Sequence, residues 1–170
     1  MDAILREKLA RVTGALRELG RVAVAYSGGV DSTLVLKLAH DALGESAIAV
    51  AAVSPSIPRY EREAAERIAA EIGARMLWID THELEDARYV ANPVNRCYFC
   101  KTNIYDELLA AARAEGFTTL LDGTNADDTG DFRPGRQAAL EQGARSLLQE
   151  AGITKAEVRR AARELGLPNW

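Results

Sequence analysis

The chain has 170 residues, of which 48% are hydrophobic and 27% charged, a composition typical of one globular domain with its own core. Its net charge of −4 provides no general attraction for nucleic acid, and no apolar run approaches the roughly 20 residues of a membrane helix. The charged N-terminus lacks a signal-peptide core, so we expect a cytoplasmic protein with neither nucleic-acid nor membrane partners. Two cysteines, Cys97 and Cys100, are too few and too close for a disulfide framework.

Helical and strand patterns alternate along the chain. In order, they predict a helix over 2–19, a strand over 21–26, a helix over 32–43, a strand over 47–53, a helix over 59–72, a strand over 75–79, a helix over 101–115, a strand over 118–121 and a helix opened by a capping box at Thr154 and running to Leu165. This alternation predicts a Rossmann-like α/β fold, a parallel sheet with helices on both faces. Ligands of such sheets bind beyond the carboxyl ends of the strands, where both glycine-bearing loops of this sequence lie.

The hexapeptide Ser27-Gly28-Gly29-Val30-Asp31-Ser32 lies between the first predicted strand and the second helix. Its glycines allow positive φ angles and close approach, so several N–H groups and the helix dipole are expected to face one anion. Two serine hydroxyls add donors, and Asp31 is expected to hold Mg²⁺ against phosphate oxygens. The pattern is neither a Walker A nor a dinucleotide motif, and a glycine pair alone is usually structural. We predict a phosphate site formed by Ser27, Gly28, Gly29, Asp31 and Ser32.

A second polar segment, residues 122–128, follows the fourth predicted strand. Its carboxylates have two interpretations: helix caps in a solvated turn, or, for Asp128, a share in binding metal or substrate. Arg133 and Arg136 come next in the chain. Although exposed arginines are common, a pair near a nucleotide is suited to phosphate or carboxylate, so both are candidate anion-binding residues.

The first hexapeptide resembles the Ser-Gly-Gly-x-Asp-Ser signature of the PP-loop superfamily, the N-type ATP pyrophosphatases. The resemblance implies an adenine nucleotide alpha hydrolase-like fold and the use of ATP with Mg²⁺. It also implies cleavage of ATP to AMP and pyrophosphate, with adenylation of a substrate oxygen. Ala25 and Val53 are then expected near the adenine, and Gly123 is expected to flank the nucleotide from the other side.

A more specific segment is Asn95-Arg96-Cys97-Tyr98-Phe99-Cys100-Lys101. Together with residues 122–128, 131–135 and 152–155, it resembles LarE, the ATP-dependent sacrificial sulfur transferases of nickel-pincer nucleotide cofactor synthesis. The resemblance implies that ATP adenylates a carboxylate of pyridinium-3,5-biscarboxylic acid mononucleotide and that sulfur then displaces AMP. In one version of this chemistry a protein cysteine gives up its sulfur and becomes dehydroalanine. In another, three cysteines hold a [4Fe–4S] cluster that delivers sulfide.

Cys97 and Cys100 fit the cluster version, because thiolates are the ligands of such clusters. Arg96, Lys101 and the start of the helix expected after the pair would favour the thiolate forms. Half a zinc site and a redox dithiol are the other interpretations of the pair. The resemblance gives Lys101 a contact with the substrate phosphate or the adenylate, and so makes it, with Asp31 and the two cysteines, a candidate catalytic residue.

The resemblance also concerns the extent of the chain. The family places a third cysteine and a second, smaller domain beyond the position of Trp170, so we expect residues 1–170 to be one PP-loop domain of a truncated protein or fragment. The expected partners are a small-molecule nucleotide substrate, that C-terminal domain and further copies in a homo-oligomer. Two alternatives stay open: an amidating synthetase supplied with ammonia or glutamine, which has no use for the cysteines, and a module that binds adenine nucleotides without turnover.

Overall fold

A computed structural model describes residues 1–53, 57–80, 96–129 and 143–170, with backbone alone for residues 96–103 and 129. Its helices and strands, in chain order, are α1 (Ala3–Leu19), β1 (Val22–Ala25), α2 (Val30–Leu43), β2 (Ala47–Val53), α3 (Arg59–Ile72), β3 (Arg75–Asp80), α4 (Arg96–Ala114), β4 (Thr119–Leu121), α5 (Leu147–Glu150) and α6 (Lys155–Glu164). Across these described ranges, none of the helices has the length and apolar character needed to cross a membrane.

The four strands form one parallel sheet in the order β3-β2-β1-β4. Val22 of β1 lies opposite Ala47 of β2 on one side and Thr119 of β4 on the other. The chain first moves outward from β1 through β2 to β3, and then returns to the other side of β1. Because this reversal separates the loops after β1 and β4, they open a crevice at the carboxyl edge of the sheet.

Residues of β1 alternate between two apolar cores, one on each face of the sheet. Val22 and Val24 pack in a larger core with α1, α2 and α6, which also contains the fully buried Leu5 and Leu16. Ala23 faces a smaller core, to which α4 contributes. The predicted α/β fold with helices on both faces is therefore confirmed.

Two helix starts differ from the prediction. α2 begins at Val30, two residues before the predicted Ser32, because Gly29 in extended conformation is its N-cap. α4 begins at Arg96 and not at Lys101, so Cys97 and Cys100 lie inside its first turns. The expectation that a helix start follows the two cysteines is wrong. No glycine or proline separates Arg96 from Lys101, so nothing in that stretch stops the helix.

The chain next to Asp122 contains a pairing that was not predicted. Arg145 forms an isolated parallel bridge with Leu121. Its N–H donates to the Leu120 carbonyl at 2.9 Å, and its carbonyl accepts from the Asp122 N–H at 3.0 Å. A one-residue bridge and the single-turn helix α5 are too short to produce a periodic sequence pattern. This bridge fixes the backbone where β4 leads into the second polar segment.

The start of α6 is held firmly by side chains. The Thr154 hydroxyl accepts from the Glu157 N–H at 3.3 Å and the Glu157 carboxylate accepts from the Thr154 N–H at 2.9 Å, which confirms the predicted capping box. Lys8 of α1 donates to both Glu157 oxygens, at 2.8 and 2.7 Å, and to the Gly152 carbonyl at 2.7 Å. The start of α6 is thereby fixed in position, and with it Lys155.

Candidate functional site

A cavity of about 560 Å³ opens at the carboxyl edge of the sheet. The loop after β1 (residues 27–32, the first loop) lines one part of it, and the segment after β4 (residues 122–128, the second loop) lines another. The lining residues from these two loops are Ser27, Gly29, Asp31, Ser32, Asp122, Gly123, Thr124 and Asp128. The structure thus brings the two segments that the sequence singled out into one site.

Hydroxyl groups within the first loop hold it closed. Ser32 Oγ lies 3.2 Å from Ser27 Oγ, accepts from the Ser27 N–H at 3.3 Å and donates to the Gly29 carbonyl at 3.1 Å. The Gly29 N–H donates to Ser27 Oγ at 3.3 Å. Because Gly29 caps α2 without a side-chain hydrogen bond, this bend presents N–H and hydroxyl donors at a helix N-terminus. The geometry suits an anion, and phosphate binding by these residues stays a prediction.

Gly28 is required by both its backbone and its surroundings. Its φ is 75°, in the left-handed region that favours glycine. A Cβ added there would lie 3.0 Å from the Cβ of Ala65 on α3, so the first loop packs directly against that helix. A larger residue at either position would push the loop away from α3.

Gly123 allows the second loop to touch the first. A Cβ on Gly123 would lie 2.7 Å from the Ser32 backbone nitrogen and 3.1 Å from the Asp31 carbonyl carbon and Cβ. These are mostly backbone atoms at the start of α2, which cannot rotate away. Gly123, which the resemblance placed beside the nucleotide, therefore also sets the spacing between the two loops.

The Asp31 carboxylate has two partners from distant parts of the chain. Its Oδ2 forms an ion pair with Lys155 Nζ at the start of α6. Its Oδ1 accepts from Asn125 Nδ2 at 3.2 Å. The side chains of Asp31 and Lys155 are 22% and 36% exposed, and Asp31 lines the cavity.

Asn125 and Asp127 organise the rest of the second loop. The backbone N–H of Asn125 donates to Asp128 Oδ2 at 3.0 Å, and Asn125 Oδ1 accepts from the Asp127 N–H at 3.0 Å. Asp127 Oδ2 accepts from the backbone N–H of Lys155 at 2.8 Å. Asp127 therefore acts as a helix-end partner, as the capping interpretation expected, while Asp128 lines the cavity, where its role in metal binding stays a prediction.

Asp122 places a buried carboxylate on the cavity wall. It is 4% exposed, and its Oδ1 accepts from the Thr124 N–H at 3.0 Å. Burial, and secondarily the negative charge of Asp122, raises the pKa of the Tyr105 phenol well above its ordinary value. Tyr105 therefore lines the cavity as a neutral hydroxyl at physiological pH.

Apolar and aromatic groups line the part of the cavity beside β2 and β3. Ala25 is among them, as predicted for the adenine neighbourhood, and β2 contributes Ala51 and Ala52. Val53, the other residue predicted there, ends β2 half-buried. At β3, the Arg62 guanidinium carbon lies 5.2 Å from the ring centre of Trp78. This surface suits a flat ring, and adenine contact by Ala25 and Val53 stays a prediction.

Several predicted site residues fall outside what the structure describes. Arg133 and Arg136 lie in the undescribed range 130–142. The backbones of Cys97, Cys100 and Lys101 lie in α4, but their side chains are not among those described. The anion-binding, iron–sulfur and catalytic roles assigned to these residues stay predictions.

Two residues of the site were not identified from the sequence. Lys155 was interpreted only as part of the capping box and of the segment 152–155 that carries the family resemblance, and Asn169 was not singled out. Asn169 Nδ2 donates to the Gly28 carbonyl at 2.8 Å and to Thr33 Oγ1 at 2.9 Å. Both residues reach the first loop from more than 120 positions away in the chain. No local pattern carries such a contact, so only the fold could reveal them.

Comparison with known proteins is consistent with this geometry. The asparagine synthase family matches residues 5–167. An uncharacterized protein of Synechocystis sp. is 48% identical over 167 residues, covering 98% of this chain and 62% of that protein. Pyridinium-3,5-bisthiocarboxylic acid mononucleotide synthase of Lactiplantibacillus plantarum is 43% identical over 169 residues, covering 99% of this chain and 61% of the synthase. The chain thus spans about three fifths of the length of these two relatives.

A solved structure shares the fold at low sequence identity. The NH3-dependent NAD synthetase of Campylobacter jejuni aligns over 99% of this chain and 75% of its own, with a TM-score of 0.70 and 18% identity. The family match covers both loops of the cavity and the whole sheet. The chain therefore belongs to the asparagine synthase family and is a PP-loop ATP pyrophosphatase domain, similar to LarE.

Proposed function

We propose that this chain is the adenylating part of a LarE-type sulfur transferase. The chain would transfer AMP from ATP to a carboxylate of pyridinium-3,5-biscarboxylic acid mononucleotide and release pyrophosphate. Support comes from the 43% identity to pyridinium-3,5-bisthiocarboxylic acid mononucleotide synthase, which extends over 99% of this chain and so includes both loops. Sulfur insertion is proposed for the whole protein, of which this chain supplies the nucleotide site.

The main support for this proposal is the cavity that the two loops line together. The first loop offers N–H and hydroxyl donors at the N-terminus of α2, which suit the β- and γ-phosphates. Gly123 brings the second loop against the start of α2, so its carboxylates lie beside those donors. The adenine would then lie toward Ala25 and Trp78, at the apolar part of the cavity.

The residues present fit the Mg²⁺ that such a reaction uses. Magnesium at nucleotide sites takes one or two carboxylates and completes its coordination with phosphate oxygens and water. Asp31 and Asp128 both line the cavity and have suitable oxygen ligands. When bound, the ion would neutralise charge on the phosphates.

Lys155 supplies a second positive charge. In the structure its ammonium neutralises Asp31. Because the lysine stem is flexible and its backbone is fixed by Asp127, the ammonium can exchange Asp31 for a phosphate oxygen without moving α6. We propose that Lys155 stabilises the charge that develops on the leaving pyrophosphate.

Adenylation is a substitution at the α-phosphorus of ATP. A carboxylate oxygen of the substrate attacks the α-phosphorus, the bond from that phosphorus to the bridging oxygen breaks, and pyrophosphate leaves with the bond electrons. The product is an acyl adenylate, from which a sulfur nucleophile then displaces AMP. We propose Cys97 and Cys100, near the start of α4, as residues of that second step, and Lys101 as a contact for the substrate phosphate or the adenylate.

The test is to follow ATP by phosphorus NMR with and without the dicarboxylate mononucleotide. We expect AMP and pyrophosphate that depend on the substrate. In the whole protein we also expect thiocarboxylate formation, measured by mass spectrometry, to be lost when Cys97 and Cys100 are both changed to serine. Release of ADP and phosphate would contradict it. Efficient amide formation from ammonia in the double variant would instead support an amidating synthetase, and binding of ATP without turnover would support a nucleotide-binding module.

A further inference from the structure

The side chain of Asn169, after α6, contacts the peptide unit between Gly28 and Gly29 in the first loop. Its Nδ2 donates to the Gly28 carbonyl at 2.8 Å and to Thr33 Oγ1 at 2.9 Å. The orientation of the amide is fixed, because the Gly28 carbonyl can only accept a hydrogen bond. Asn169 Oδ1 is buried and has no hydrogen-bond partner among the described residues. The amide orientation thus provides both hydrogen bonds of Nδ2 and leaves Oδ1 without a partner among the described residues.

The Gly28 carbonyl and the Gly29 N–H belong to one peptide unit. In a trans peptide these groups point in opposite directions, and the described chain contains no cis peptide. The Gly29 N–H is directed to Ser27 Oγ, and both residues line the cavity of the proposed ATP site. Asn169 instead lines a separate cavity with Val30. When Asn169 holds the Gly28 carbonyl, the Gly29 N–H therefore stays directed toward the cavity, where the phosphates of ATP would bind.

This peptide unit is the one most able to rotate. Both of its residues are glycine, so rotation meets no Cβ on either side. Rotation by half a turn would bring the φ of Gly29 from −73° to a positive value, which glycine tolerates and alanine does not. The rotated form would direct a carbonyl oxygen at the triphosphate and repel it.

Thr33 supports Asn169 from the other side. It lies in α2, its side chain accepts from Asn169 Nδ2, and it is fully buried. The amide of Asn169 is consequently held against α2 and not only against the loop.

We propose that Asn169 is a positioning residue that locks the Gly28–Gly29 peptide in the orientation that binds pyrophosphate. The proposal rests on the phosphate-binding role proposed above for the first loop. Asn169 touches no substrate atom in this scheme. It acts through the peptide, so its removal should weaken phosphate binding while the adenine part of the site stays intact.

The test measures binding of magnesium pyrophosphate and of adenosine by calorimetry in the full chain. Asn169→Leu keeps the size of the side chain and removes both donors, and it should weaken pyrophosphate binding about tenfold, with adenosine unchanged. Thr33→Val removes only the contact with Thr33 and should change pyrophosphate binding by less than about threefold. Unchanged pyrophosphate affinity in Asn169→Leu would refute the proposed role of Asn169, and so would an equal loss of affinity for pyrophosphate and adenosine.

A double-mutant cycle distinguishes a peptide lock from a general structural role. Gly29→Ala makes the rotated peptide unfavourable by itself, and the added Cβ would lie 3.4 Å from Ser27 Oγ, an ordinary contact. In that background, Asn169→Leu should weaken pyrophosphate binding by less than about threefold, since the lock is no longer needed. An undiminished tenfold loss would refute the proposal. If the protein without substitutions bound no pyrophosphate, the proposed phosphate site of the first loop would itself be refuted, whatever the effect of Asn169.

Discussion

Two parts of the site differ in where their contacts come from. The hydrogen bonds among Ser27, Gly29 and Ser32 join residues at most five positions apart. Asp31 instead contacts Asn125 and Lys155, which lie far away in the chain. Local contacts of the first kind can be identified from a motif. Distant contacts of the second kind form only once the fold has brought the partners together.

The largest effect is expected where the distant contacts converge on Asp31. Asp31→Asn removes the charge that pairs with Lys155 and the proposed metal ligand, so substrate-dependent pyrophosphate release should fall roughly hundredfold. The matched control on the same helix is Asp41→Asn, since Asp41 is 47% exposed and pairs only with Lys37 among the described residues. The control should change the rate by less than about twofold. Equal rates for both variants would remove Asp31 from the reaction.

Gly123→Ala tests whether the two loops form one site. The new Cβ would lie 2.7 Å from the Ser32 nitrogen, so the start of α2 must shift. We expect the free energy of unfolding to fall by about 1–3 kcal/mol and pyrophosphate affinity to fall with it. Denaturant unfolding and calorimetry measure the two effects.

Its matched control is Gly14→Ala. Gly14 lies in α1, and a Cβ there would meet nothing within 4 Å. The substitution should stabilise the protein by about 0.5–1 kcal/mol through helix propensity. A Gly123→Ala protein as stable as the parent, with unchanged affinity, would show that the loops are not held at this spacing.

These contrasts explain what the sequence could predict. The first loop, the four strands and the capping box at Thr154 follow from patterns a few residues long, and the structure contains each of them. The pairing of Asp31 with Lys155 depends on a sequence separation of 124 residues, and so could not be predicted from local periodicity. The start of α4 was missed because the two cysteines were assigned to the polar stretch before the helix, although no glycine or proline interrupts residues 96–101.

Glu157 connects the second loop to the rest of the fold through the start of α6. Burial alone would raise its pKa, but hydrogen bonds from Lys8 and Thr154 and the charge of Lys8 outweigh burial and lower it. A lowered pKa in the folded state means stability that is present above the ordinary value of 4.5 and is lost as the pH falls through the folded-state pKa.

Glu157→Gln should therefore destabilise the protein by about 1 kcal/mol near neutral pH. The difference from the parent should shrink below about pH 4.5, where the parent loses the same interaction. Chemical unfolding at a series of pH values measures this. A difference that is constant with pH would contradict the ion-pair account of Glu157.

The smallest effect is expected for Asp127→Asn. An asparagine oxygen can still accept from the Lys155 N–H, so only the charge at the N-terminus of α6 is lost. The expected cost is about 0.3–1 kcal/mol of stability, with pyrophosphate release nearly unchanged. A loss of activity as large as that of Asp31→Asn would mean that Asp127 binds the metal or the substrate.

Phosphate binding by the first loop is best tested by a crystal structure with magnesium and a non-hydrolysable α,β-methylene ATP. We expect the β- and γ-phosphates to accept from the Gly29 N–H and from the hydroxyls of Ser27 and Ser32, with the Gly28 carbonyl still held by Asn169. A triphosphate bound elsewhere in the cavity, or on a first loop with no donor directed at it, would show that this loop is not the phosphate site.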